Sequence, residues 1–271
     1  MNTILEWKML RNGLLATAAL ALLVTGARAA VQTKEVAYSY DGVNFKGHLA
    51  WDDATSGKRP GVLVVHEWWG LNDYAKQRAE KLAALGYVAF ACDMYGEGKL
   101  ATHPQEAGEM AGEVRKNIKT WQGRARAALK VLQEDERVDP RKIAAIGYCF
   151  GGSTALELAY TGADLAAVAT FHGALPLPDA EQAKAIRAKV LICHGARDNF
   201  IPEETIHKVR AAFEEAGVDY EMVYYGGAVH SFTVPDANKV GMPGMAYNAE
   251  ADRRSWRSML RLFDEVFKPA N

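Results

Sequence analysis

Cys149, Asp198 and His230 are the residues of this chain whose types and order could do covalent chemistry. A cysteine attacks a carbonyl carbon when a nearby base takes its proton and an acid orients that base. The product of such an attack is a thioester, which water or another acceptor then cleaves. Cys149 lies in Gly147-Tyr148-Cys149-Phe150-Gly151-Gly152. Glycines on both sides of a nucleophile suit a turn too sharp for neighbouring side chains. Read alone, the hexapeptide is also compatible with a buried cysteine on a glycine-rich turn. The other two residues decide between these readings.

The flanking segments say what holds the three in place. Ile143-Ala144-Ala145-Ile146 is a short apolar run that reads as a buried strand, and Ser153 to Ala159 reads as a helix. Strand, Gly-x-nucleophile-x-Gly and helix together form the nucleophile elbow of the α/β-hydrolase architecture, whose triad runs nucleophile, acid, histidine. At the start of a helix the partial positive charge favours an anion. Lys189 to Cys193 is a second buried strand, with Asp198 in the loop beyond it, and Tyr220 to Tyr225 is a third, leading to His230. All three candidates therefore follow strands, at the edge where open α/β sheets place their sites.

The remaining chain fits that scheme. Glu35 to Tyr40 and Val43 to Trp51 flank Asp41-Gly42, a strong hairpin signal. Gly61 to His66 and Tyr87 to Cys92 read as strands, and Asp73 to Leu85 as a helix ending at Gly86. Glu106 to Glu134 reads as helix with a break at Gly123, and Ala246 to Phe267 as the last helix. The alternation predicts an α/β fold: a mostly parallel central sheet, helices on both faces and an N-terminal β-hairpin. The 271 residues are 49% hydrophobic and 24% charged, with no repeat or linker, which fits one domain over residues 30–271.

The first 29 residues read differently. Lys8 and Arg11 precede an apolar run, Leu14 to Val24, followed by Ala27-Arg28-Ala29. Cationic start, apolar middle and small-residue end make a secretory signal peptide, which predicts a periplasmic or secreted protein. A retained anchor is the alternative, since Glu6 is unusual in the charged region. Export makes the cysteines informative. Cys92, Cys149 and Cys193 are too few for a disulfide scaffold, and no Cys or His spacing suits a metal. Cys92 and Cys193 read as small buried thiols, with a bridge between them as the alternative. The 32 basic and 33 acidic residues leave a net charge of −1, which argues against nucleic acid or an anionic membrane as partner.

One further loop belongs to the site. His66-Glu67-Trp68-Trp69-Gly70-Leu71-Asn72 follows an early strand, where this architecture draws its second oxyanion donor. The Trp68 and Phe150 backbone N–H groups are the predicted pair, each worth about 3 kcal/mol on a developing oxyanion. Glu67 is then expected beside Cys149, either managing its proton or serving as a surface ion-pair residue. Trp68 and Trp69 either pack the loop or wall an apolar substrate.

With His66 to Asn72, Asp93-Met94-Tyr95-Gly96, Gly147 to Gly152, Gly195-Ala196-Arg197-Asp198 and His230-Ser231-Phe232, the chain resembles the dienelactone hydrolase family. The resemblance covers nearly all of the chain after residue 29. It implies a Cys149-Asp198-His230 triad, Glu67 as the carboxylate contacting the nucleophile, and hydrolysis of lactones or esters without a cofactor. Trp69, Tyr95, Glu97, Arg197, Phe232 and Val234 fall where such enzymes line their pocket. The family's enzyme grips a substrate carboxylate with two arginines, and here Glu97 and Val234 stand in their places, with Lys99 and Arg197 as nearby cations. The expectation is a monomeric or homodimeric hydrolase that favours small neutral esters or lactones. Acyl or thioester transfer on the same fold, a silent binding protein, and a thiol redox protein are the alternatives. The last is disfavoured by the lack of a resolving Cys-x-x-Cys.

Overall fold

The computed structural model describes residues 31–268, so the segment expected to be a signal peptide lies outside the described residues. Strands β1 (Val31–Tyr40) and β2 (Val43–Asp52) form the antiparallel hairpin expected around Asp41-Gly42. Both turn residues take positive φ, 49° and 74°, as a two-residue hairpin requires. There follow β3 (Arg59–Val65), α1 (Asp73–Ala83), β4 (Val88–Cys92), α2 (Pro104–Arg115) and α3 (Ile118–Glu134). The second half comprises β5 (Val138–Tyr148), α4 (Phe150–Tyr160), β6 (Ala167–Phe171), α5 (Ala180–Ala185), β7 (Lys189–Gly195), α6 (Glu203–Ala216), β8 (Tyr220–Tyr225) and α7 (Ala249–Phe267).

The eight strands form one sheet in the order β1-β2-β4-β3-β5-β6-β7-β8. Only the β1–β2 and β2–β4 pairings are antiparallel; the rest are parallel. Parallel strands need covered faces, and the strands alternate sides accordingly. Leu63, Phe90, Ala145 and Ile192 meet α3, α4 and α6 in one core, while Val64, Ala91, Ile146 and Leu191 meet α1 and α7 in the other. No helix among the described residues is long and apolar enough to cross a membrane.

One expectation needs correction, and one is borne out. The break in the 106–134 helix falls at Lys116-Asn117, where the Asn117 carboxamide caps α3 by accepting from Lys119 and Thr120 N–H. Gly123 is interior to α3 instead, and its missing side chain admits Tyr40: a Cβ there would lie 2.1 Å from the Tyr40 ring. Cys92 and Cys193 are both free. Cys92 ends β4 and Cys193 lies in β7, and β3, β5 and β6 run between them. At about 4.8 Å per strand that is roughly 19 Å, against about 7 Å for the longest disulfide Cα separation.

Candidate active site

A single residue, Cys149, separates the last residue of β5 from the first of α4. It adopts φ 51° and ψ −113°, a strained conformation for a residue with a Cβ. Neighbouring structure enforces it. Cys149 N–H donates to the Phe171 carbonyl at 3.0 Å, and the Cys149 carbonyl accepts from Gly152 and Ser153 N–H at 3.0 and 3.3 Å. The flanking glycines are required by space. A Cβ on Gly147 would lie 1.9 Å from the Gly151 carbonyl oxygen, and one on Gly151 would lie 2.2 Å from that of Val65.

The loops after β7 and β8 bring the other two side chains to this point. Asp198 Oδ2 accepts from His230 Nδ1–H at 2.8 Å, and His230 Nε2 lies 3.1 Å from Cys149 Sγ. The Asp198 and His230 side chains are almost fully buried, at 0% and 9% exposure. His230 N–H donates to the Gly244 carbonyl at 3.0 Å, which ties its loop to the segment before α7. Burial by itself lowers the pKa of the His230 imidazole. The Cys149 sulfur and the Asp198 hydrogen bond outweigh burial and hold it well above the ordinary histidine range. The arrangement therefore favours a proton on His230, within reach of the sulfur.

Phe150 is the first residue of α4, so its N–H has no partner within the helix. Trp68 follows β3 on the facing loop. Among the described residues, neither N–H donates to a protein acceptor. The Phe150 ring is fully buried and stacks on His66 and Trp121, which fixes the elbow from below.

Glu67 is close to this machinery but does not bond to the sulfur. Its Oε1 accepts from Ser231 O–H at 2.9 Å and lies 3.7 Å from His172 Nδ1. In place of the expected contact with Cys149, the carboxylate is held by the hydroxyl of Ser231, the residue directly after His230. His172, just after β6, packs edge-on against His230 and bonds through Nε2 to Thr233 Oγ1 at 2.7 Å. Burial pushes the Glu67 carboxyl up from its usual range, against the lowering influence of His230 and the Ser231 hydroxyl. A carboxyl raised in the folded state adds stability below its ordinary pKa of about 4.3, and that stability is lost as pH rises through the folded value. Glu67→Gln is therefore expected to match wild type in thermal unfolding near pH 4 and to melt higher at pH 7.5. A lower melting temperature at pH 7.5 would show that the charged form is favoured.

A cleft of about 260 Å³ opens over the sulfur, lined by Cys149, His230, Trp68, Arg115, Ala174, Phe200, Ile201, Met242 and Met245. Met245 also borders a second cavity of about 290 Å³, which Glu67, Trp69, Ser231 and Val234 line.

The sequence profile of the dienelactone hydrolase family matches residues 45–267. The chain belongs to the dienelactone hydrolase family. A relative from Aquifex aeolicus whose name includes carboxymethylenebutenolidase is 29% identical over 86% of this chain and 98% of its own. The crystal structure of a dienelactone hydrolase-like promiscuous phosphotriesterase from metagenomic libraries superposes with TM-score 0.86 at 44% identity, covering 88% of this chain and all of that one (100%). An α/β-hydrolase enzyme from a Medee basin deep-sea metagenome shares the fold, at TM-score 0.66 and 18% identity over 89% and 99% of the two chains. The protein is accordingly an α/β-hydrolase that acts on ester or lactone bonds.

Within this dienelactone hydrolase scaffold the pocket residues expected from sequence scatter. Trp69 and Val234 border the neighbouring cavity with Glu67 rather than the cleft over Cys149. Tyr95 is buried beneath it, donating its O–H to the Trp68 carbonyl at 2.9 Å. Phe232 is fully buried and packs on His172 and Tyr225, because its side chain turns into the α7-side core. Glu97 and Arg197 are exposed and line neither cavity. Glu97 is turned away at φ 56° with its N–H on the Asn44 carbonyl. The cation that does reach the cleft is Arg115, from the charged stretch Glu113 to Lys119 that by residue type reads as a solvated helix face. It follows Ala111 by four residues and so borders the buried stripe of α2. Its guanidinium lies 5.2 Å from the Phe150 ring centre.

Proposed function

We propose that Cys149 is the nucleophile of this ester or lactone hydrolase and that the acyl group passes through a thioester. The observation that carries the reading is the unbroken line from Asp198 Oδ2 through His230 to Cys149 Sγ, with spacings of 2.8 and 3.1 Å. His230 Nε2 takes the thiol proton and the sulfur attacks the carbonyl carbon. The carbonyl oxygen becomes an oxyanion that accepts from the Phe150 and Trp68 N–H groups. As the tetrahedral adduct collapses, His230 returns the proton to the leaving oxygen. In a lactone that oxygen stays tethered and the ring opens. Water then attacks the thioester with His230 as base, releasing the acid and regenerating the thiol. The proposal includes export through residues 1–29, which rests on their composition. The direct test is a screen of chromogenic esters and unsaturated lactones, with rapid acid quench and mass analysis. An acyl adduct on the peptide carrying Cys149 is expected; an adduct elsewhere, or none during turnover, rejects the reading.

A second substrate class is favoured by the 44% identical phosphotriesterase neighbour. Neutral phosphotriesters place an electrophilic phosphorus and a P=O oxygen where the carbonyl group would sit, and the cleft walls are largely apolar.

The expected preference for neutral substrates needs revision. Glu97 does not face the cleft, so the repulsion it was to supply is absent, and Arg115 adds a positive charge. Arg115 is exposed, and exposed charges are screened to about 1 kcal/mol or less. Arg115→Gln is expected to lower kcat/KM for a carboxylate-bearing lactone by about threefold to fivefold and to leave its neutral methyl amide unchanged. Equal effects on both compounds would exclude a role in charge recognition.

A further inference from the structure

His66 is a fully buried histidine next to Glu67 that takes no part in the proposed proton path. Both of its ring nitrogens are committed. Nδ1–H donates to the Glu67 carbonyl oxygen, and Nε2 accepts from Met94 N–H at 3.1 Å. A histidine that donates at one nitrogen and accepts at the other is neutral and held in one tautomer. Burial favours that same neutral state by lowering the pKa of the imidazole.

The bond to Glu67 has a geometric consequence. The described chain has no cis peptide, so the Glu67–Trp68 peptide is trans. In a trans peptide the C=O and N–H point in opposite directions. Holding the Glu67 carbonyl against the His66 ring therefore sends the Trp68 N–H the other way. The Trp68 side chain lines the cleft over Cys149, and the Trp68 N–H has no protein acceptor among the described residues. His66 also touches the second donor, since its ring stacks on that of Phe150 with centroids 5.9 Å apart and planes 24° from parallel. The two loops meet at backbone level as well: a Cβ on Gly151 would lie 2.6 Å from the His66 carbonyl oxygen.

We propose that His66 is a positioning residue for the oxyanion site, setting the orientation of the Trp68 N–H through the Glu67 carbonyl and bracing the Phe150 N–H through its ring. The inference rests on the reading of Cys149 as nucleophile and adds to it the residue that aims the donors. Without His66, the Glu67 carbonyl keeps only the long bond from Gly70 N–H at 3.4 Å, and the 67–68 peptide can turn that carbonyl toward the place where negative charge develops. That loss falls on the transition state and not on substrate binding.

The test separates aiming from general damage. In His66→Leu, kcat on a chromogenic ester is expected to fall on the order of 100-fold, the scale of losing one oxyanion donor, with KM within about twofold. A trifluoromethyl ketone, which gives a tetrahedral adduct with an oxyanion, should bind more weakly in proportion to the loss in kcat/KM. Alkylation of Cys149 by iodoacetamide displaces iodide at a saturated carbon and forms no oxyanion, so its rate should stay within about twofold of wild type. His66→Asn should recover most of kcat, because the Asn Nδ2–H falls near the position of the histidine Nδ1–H. Should His66→Leu fail to fold, His66→Gln replaces it. The longer amide reaches the Met94 N–H but not the Glu67 carbonyl, and it is expected to lose kcat as leucine does. The proposal is overturned if the Leu or Gln variant keeps kcat, if alkylation slows as much as turnover, or if Asn is no better than either. Wild type that keeps full turnover after Cys149 is alkylated would instead reject the nucleophile reading, and this inference with it.

Discussion

Cys149→Ala is expected to lose hydrolysis by a factor of thousands or more on every substrate that wild type cleaves, with the fold intact. The change deletes one sulfur from a half-open position. It keeps the Cβ, so the strained φ of 51° is neither relieved nor worsened. The elbow is held by backbone bonds from residue 149 to Phe171, Gly152 and Ser153, none of which involves the sulfur. Only the 3.1 Å contact with His230 disappears, and Asp198 still orients that ring. Members of such a relay act as a unit, so His230→Ala should cost about as much, and the double variant little more than either. The measurement is kcat/KM for a chromogenic ester and an unsaturated lactone, with thermal unfolding as the check on folding. Near-wild-type turnover by Cys149→Ala would sink the assignment.

Gly151→Ala should be one of the most damaging single methyls among the described residues. The new Cβ would meet the Val65 oxygen at 2.2 Å and the His66 oxygen at 2.6 Å, both of them backbone atoms. They belong to the end of β3, which is hydrogen-bonded on both sides within the sheet, and to the loop that carries Glu67 and Trp68. Neither can yield without moving the site. Overpacking of this kind costs about 1–3 kcal/mol and sometimes more, and each kcal/mol lowers Tm by roughly 2–4 °C in a domain of this size. The expected result is a drop in Tm of about 5–10 °C together with a loss of kcat on the order of 100-fold, as the Phe150 and Trp68 donors part. Gly112→Ala is the control. It lies inside α2 with nothing within 4 Å of its Cβ, so alanine should be neutral or stabilising by up to about 1 kcal/mol. If Gly151→Ala behaves like Gly112→Ala, the close approach is not as drawn.

The parts of this protein that its sequence discloses are those governed by local rules. Val62 to Val65 and Ile143 to Ile146 are short apolar runs before sharp turns, and such runs become the central strands of a parallel sheet. Gly-x-Cys-x-Gly is a steric requirement written directly in residue types. The order of Cys149, Asp198 and His230 follows from strands that end on one edge. What stayed hidden depends on distant neighbours. Gly123 looks like a helix break until Tyr40, from the first strand, is found where its side chain would be. Glu97, Arg197 and Phe232 lie within or beside the right motifs, but the direction a loop side chain takes has no period to read. Arg115 enters the cleft from a helix far from any motif. The separation of Cys92 from Cys193 is set by strand order, a global property that neither cysteine carries locally.

The construction of the cleft bears on how such an enzyme changes through mutation. The groups proposed to react sit on a strand-to-helix turn and on two strand-following loops, fastened by buried hydrogen bonds. Most of the cleft's walls come from elsewhere, and Arg115, Phe200 and Met242 are not buried. Substitutions at such positions usually shift stability by about 0.5 kcal/mol or less, a small fraction of a marginal total. New substrate preferences can therefore be explored at little thermodynamic risk, while changes to the reacting groups or their glycines cross the threshold for folding or for chemistry at once. Selection for a different ester is thus expected to accumulate in the rim long before it touches the elbow.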